Sequence, residues 1–141
     1  MHRIFGEKNN VSYVDRKGAY LIAENDGKIA VVKTPKGLFL LGGGIDENET
    51  DEAAIIRECR EEIGYEAVVE QFVCSAESYG KHPVIGFFHP IQSYYVGKLL
   101  LQVDTPMESD HQLVWHTYAE LKGNLYVPMQ NWALDVCMHD D

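Results

Sequence analysis

Glu58, Glu61 and Glu62 stand three and four residues apart within the stretch 57–65, a spacing that gathers carboxylates on one side of a helix. At roughly 100° per residue, with Ala54 at zero, Glu61 falls at about −20°, Glu58 at about 40° and Glu62 at about 80°. The three share an arc of about 100°. Like charges at these spacings cost only about a few tenths of a kcal/mol each in water, so a solvated acidic face is the better explanation of the cluster when it is taken alone. The approach to it changes the balance. A short strand over residues 38–41 runs into Gly42, Gly43 and Gly44, and glycines allow positive φ and close approach of backbone to a ligand. Carboxylate oxygens suit hard divalent cations, Mg²⁺ or Mn²⁺, which bridge carboxylates to phosphates and lower the pKa of a bound water. That chemistry attacks phosphoanhydrides at neutral pH.

The elements that must position these groups are also readable. Thr50 is a helix N-cap, Asp51 and Glu52 occupy the first turn, and Gly64 lies just past the end, so the signals predict a helix over Asp51–Ile63. Ile55, Ile56, Cys59 and Ile63 fall between about 100° and 200° on that helix, an apolar stripe predicted to face the core beside the acidic one. Arg57 and Arg60 take the remaining side. Apolar, β-branched runs at 19–23 and 29–34 flank Asp26 and Gly27 as a hairpin, and further strands are expected at 67–78, 92–103 and 112–116. Thr117 and Glu120 are spaced as a capping box over Tyr118–Leu121, and Pro128 opens a terminal helix with Met129, Trp132, Ala133, Val136 and Cys137 on its packed face.

The chain of 141 residues suits one domain, 1–141, with one core. Its 22 acidic against 12 basic residues, a formal charge of −10, argue against binding nucleic acid or anionic membrane through bulk electrostatics. Cys59, Cys74 and Cys137 are odd in number and form no Cys-x-x-Cys pair, as expected of reduced, packed thiols. His82, His89, His111 and His116 have no metal-ligand spacing. The amino-terminal residues lack a signal-like apolar run and no stretch reaches the ~18 apolar residues of a membrane span. A cytoplasmic protein is the expectation.

Gly43, five residues, Glu49, seven residues, then Arg57-Glu58-Cys59-Arg60-Glu61-Glu62-Ile63-Gly64-Tyr65 resembles the Nudix box of the MutT-like hydrolases, spanning 43–65. The resemblance implies an α/β (α+β) Nudix fold, a mixed β-sheet sandwiched between α-helices. It implies hydrolysis of a nucleoside diphosphate linked to another group, a small-molecule nucleotide substrate, Mg²⁺ or Mn²⁺ with more than one ion when substrate is bound, and a homodimer. By position, Glu58, Glu61 and Glu62 match the family's metal-ligating glutamates, Glu49 its accessory acidic position, Gly43 the glycine whose carbonyl approaches the ion, and Arg57 an arginine that orients the glutamates. Leu41 departs from the proline that commonly precedes the glycine pair, and Cys59 from an aliphatic position.

Family members often supply a further acidic residue before a late tryptophan strand. Glu108 and Asp110, ahead of Trp115, are the candidates here, with Glu58 itself a third candidate base. Phe39 and Tyr79 are candidates to stack on a base, and Lys33, Lys36 and Lys81 to meet phosphate, although packing or solvent accounts for most of them. Two other readings compete: a nucleotide-sensing module without turnover, and an isoprenoid diphosphate isomerase, which resembles a chemistry needing a catalytic Cys and Glu pair.

Overall fold

Asp26 and Gly27 both adopt positive φ, 52° and 78°, the conformation a two-residue hairpin turn demands. They join β2 (Val14–Asn25) to β3 (Lys28–Thr34), with Asn25 opposite Lys28. This is a computed structural model, describing residues 1–107 and 109–139. The remaining strands are β1 (His2–Phe5), β4 (Gly37–Gly44), β5 (Tyr65–Ser78), β6 (Gly80–His82), β7 (Gly86–Gln102) and β8 (Gln112–Thr117). The helices are α1 (Asp51–Ile63), α2 (Tyr118–Leu121) and α3 (Pro128–Met138).

The strands run β1-β5-β7-β2-β4-β3-β8, with β6 paired to β7. Two pairings are parallel, β1 with β5 and β2 with β7, and the others antiparallel, which makes the sheet mixed. Alternate residues of a strand point to opposite faces, and in β2 both faces are buried. Ala19, Leu21 and Ala23 pack with Ile55, Cys59 and Ile63 of α1, whereas Ile22 packs with Met129, Ala133 and Leu134 of α3. The sheet is therefore sandwiched between helices. No helix among the described residues is long and apolar enough to cross a membrane.

Several boundaries differ from the sequence reading. The glycine run is not a loop after a strand: β4 continues through it, with Gly42, Gly43 and Gly44 opposite Tyr20, Ala19 and Gly18 of β2. Only Gly42 has a positive φ among these three, 125°, and a side chain there would overlap the Ala19 carbonyl. β7 begins six residues before the apolar run at 92, because its early part is held by β6 and by the parallel ladder with β2. β1 and β6 are short and mostly exposed, so neither carries an alternating pattern. On α1, Ile56 is 37% exposed and Ala54 is buried in its place, which turns the helix so that part of the acidic arc lies within its inward side.

Candidate active site

The ends of α1 are set by local chemistry. Thr50 Oγ1 accepts from the Ala53 amide at 3.1 Å, and Gly64 adopts the left-handed conformation while its amide bonds the Arg60 carbonyl. Between these caps the apolar residues lock onto β2, and the rotation this imposes carries Glu58 and Glu62 against β4. Their side chains are 22% and 15% exposed. Gly43 is the reason Glu58 fits, since a Cβ there would overlap the Glu58 carboxylate.

Arg57 is the centre of the acidic cluster. Its Nε and Nη2 donate to Glu49 at 2.7 and 2.9 Å, its Nη1 to Glu58 at 2.6 Å and Glu61 at 3.2 Å, and its Nη2 also to the Gly44 carbonyl at 2.9 Å. The positive group between Glu58 and Glu61 is thus a guanidinium from their own helix. The forked contact from Arg57, with the Asp46 amide, pulls the Glu49 carboxyl down to about 2, and the carboxylates in turn raise Arg57. Glu58 goes the other way: burial lifts its carboxyl above the ordinary range, against the pull of Arg57. Glu62 turns from this cluster toward His111, whose Nδ1 lies 3.5 Å from Glu62 Oε2. Among the described residues no three His, Cys, Asp or Glu side chains stand together as one metal-holding set, since Arg57 draws two of the glutamates and Glu62 points elsewhere.

Glu58 and Glu62 open onto a cavity of about 480 Å³ lined also by Tyr20, Lys36, Phe39, Gly43, Asp110 and His111. Of the residues singled out in the sequence, the fold gathers Gly43, Glu58, Glu62, Phe39 and Asp110 around this space. Glu49, Arg57 and Glu61 form its flank. Glu108 lies outside the described residues. Tyr79 is not brought here: its ring stacks on His89 at 4.3 Å and its hydroxyl donates to Glu77 at 3.1 Å. Tyr20 and His111 line the cleft and carry no local signal. Tyr20 faces it because β2 pairs with β4, a contact between residues 22 positions apart (Tyr20 and Gly42). Burial, with Glu62 and Glu58 nearby, pushes its hydroxyl up to about 12.

The model of the NUDIX domain matches residues 13–136, nearly the whole chain. The CTP pyrophosphohydrolase of Escherichia coli K12 is 40% identical over 60 residues, 38% of this chain and 44% of that protein, so the alignment spans less than half of the relative. A NUDIX hydrolase structure from Nitrosomonas europaea superposes with a TM-score of 0.74 at 16% identity, covering 90% of both chains. The E. coli ORF135 protein in solution gives a TM-score of 0.65 at 26% identity over 90% of this chain and 91% of its own. With the box on a helix between two caps and the domain match running through both helical layers, the chain belongs to the Nudix hydrolase family.

Proposed function

We propose that this protein hydrolyses a phosphoanhydride bond in a nucleoside diphosphate linked to a further group, with Mg²⁺ or Mn²⁺ as its cofactor. The observation that carries the reading is that Glu58, which abuts Gly43, and Glu62 both line the wall of one cleft large enough for a nucleotide. The donor set suits a hard cation: carboxylate oxygens and a backbone carbonyl, beside one arginine for several acids. Glu58, Glu61, Glu62 and the Gly43 carbonyl would hold the metal, with Glu49 accessory to them. Bound there, the metal would supply charge neutralisation for phosphate oxygens and acidify a water.

The chain's own groups do the rest. Arg57 ties Glu49, Glu58 and Glu61 to one another and to Gly44, so these oxygens keep a common orientation. Glu58, raised by burial, is the carboxylate suited to accept a proton from the attacking water, and Asp110 is a second acid on the same cleft. Phe39, tilted against Tyr126 at 5.2 Å between ring centres, offers an aromatic face for a base. Attack on a nucleoside triphosphate would yield a nucleoside monophosphate and pyrophosphate, the reaction named for the CTP-cleaving relative.

The test is a panel of nucleoside triphosphates including CTP, nucleotide sugars, ADP-ribose and dinucleoside polyphosphates, assayed with Mg²⁺ and Mn²⁺ and with products identified by mass. Metal-dependent cleavage at a diphosphate is the expected result. Binding without cleavage of any member would replace hydrolysis by nucleotide sensing.

A further inference from the structure

Tyrosines packed into this fold generally bond their hydroxyls within it. Tyr94 donates to Gln92, Tyr95 to Asp51, Tyr118 to Asp135 and Tyr79 to Glu77. Among the described residues Tyr65 and Tyr20 make no such bond, and of the two it is Tyr20 that lines the cleft. Its ring is stacked on Tyr94, with centres 5.8 Å apart and planes 29° apart, yet among the described residues its hydroxyl makes no hydrogen bond. The hydroxyl is not sealed within the protein but opens onto the cleft, where solvent or a bound ligand supplies its partner.

The surroundings indicate what the partner is. The ring lies along β2 above Gly18. A Cβ at Gly18 would sit 3.0 Å from Tyr20 Cε2, 3.3 Å from Tyr20 Oη and 3.2 Å from the Gly43 carbonyl oxygen. The hydroxyl and that carbonyl therefore flank one point, and Gly43 in turn abuts the Glu58 carboxylate. Tyr20 also lines both the cleft holding Glu58 and Glu62 and a neighbouring cavity of about 710 Å³ that includes Arg16, Lys17 and Gln92. The phenol is thus a donor at the junction of the two spaces, beside acids it does not bond.

We propose that Tyr20 is a substrate-binding residue whose hydroxyl donates to a phosphate oxygen of the nucleotide, and that Gly18 lacks a side chain so that the phenol can lie there. The assignment rests on the nucleotide-hydrolase reading above. It predicts that Tyr20→Phe raises KM by about tenfold to a hundredfold, the range of a hydrogen bond to a charged group, with kcat changed less than KM. The same factor is expected for CTP, UTP and ATP, because the phosphate chain is common to them. In the Glu61→Gln background, calorimetric titration of CTP with Mg²⁺ present should show Kd weakened by the same factor on adding Tyr20→Phe.

Thermal unfolding separates binding from folding. Tyr20→Phe removes no protein hydrogen bond and should leave Tm unchanged, whereas Tyr94→Phe strips the donor from buried Gln92 and should lower it. Gly18→Ala, which pushes on the phenol, should raise KM in the same direction as Tyr20→Phe. If the wild type cleaves nucleotides and Tyr20→Phe matches it in KM and Kd, the Tyr20 assignment fails alone. A factor that changes with the base overturns the phosphate contact, and a lowered Tm in Tyr20→Phe makes the hydroxyl structural. A wild type that neither binds nor cleaves any nucleotide overturns both readings.

Discussion

Two polar clusters, one on α1 and the segment before it and the other on the sheet, are held differently. Around Arg57, one guanidinium faces Glu49, Glu58 and Glu61, with Asp46 at 3.4 Å. Around Glu77, each carboxylate meets a histidine ring nitrogen. His89 places Nε2 2.9 Å from Glu77 and Nδ1 2.8 Å from Asp15, while His2 lies 2.6 Å from both Glu77 and Ser75. The first cluster lies beside a cleft and has more acids than its arginine can neutralise. The second lies where β1, β5, β7 and β2 meet, and both of its carboxylates are hydrogen-bonded to histidines. Carboxylates concentrated beyond their counter-charge have affinity to spare for a cation, whereas carboxylates hydrogen-bonded across strands are consumed in holding them together.

The largest expected effect tests the unbalanced cluster. Glu61→Gln keeps the shape and removes one charge, and we expect turnover to fall by about 10² to 10⁴, the range of a lost acid–base or metal contribution, with Tm held or raised. An enzyme of wild-type kcat after this change would make the acid excess a solvated face. Arg57→Lys should follow. A lysine cannot fork onto Glu49 while reaching Glu58 and Glu61, so metal affinity measured by Mn²⁺ titration should weaken by about 10- to 100-fold.

The balance of charge also predicts a ligand effect on stability. Mg²⁺ at about 100 times its Kd should stabilise the wild type by about 2.7 kcal/mol in chemical denaturation. The gain should be much smaller in Glu61→Gln. Equal Mg²⁺ stabilisation of the two proteins would place the cation elsewhere.

The smallest effect belongs to the Glu77 cluster. Hydrogen bonds from His89, then His2, hold the Glu77 carboxyl below its ordinary range. A depressed folded pKa contributes stability that is present above the unfolded value, about 4.3 for glutamate, and is lost as pH falls through the folded value. Glu77→Gln should therefore flatten the acid side of the stability curve below about pH 4 and leave turnover unchanged. A variant whose acid unfolding follows the wild type would show that Glu77 does not anchor this junction.

The same contrast marks how far the chain could be read without its fold. Helix α1 was legible to the residue because Thr50, Asp51, Glu52 and Gly64 act on neighbours within a turn. The hairpin at Asp26 and Gly27 and the capping box at Thr117 were legible for the same reason. The Glu77 junction was not, since its members come from four strands and none carries a local signature. Ile56 and Ala54 exchanged places because helical angle alone does not say which side meets the sheet.

Residue order and type determined the helix, its carboxylate spacing and the family to which it belongs, since these depend on contacts a few positions apart. The tertiary structure decided how that helix is used. It set Arg57 between two glutamates, turned Glu62 toward His111, drew the glycines into β4 as a strand, and brought Tyr20 of β2 beside Gly43. Each of these depends on which strands pair and how far α1 rotates as its apolar residues bury, and both are settled by packing across the whole sheet rather than by any local stretch.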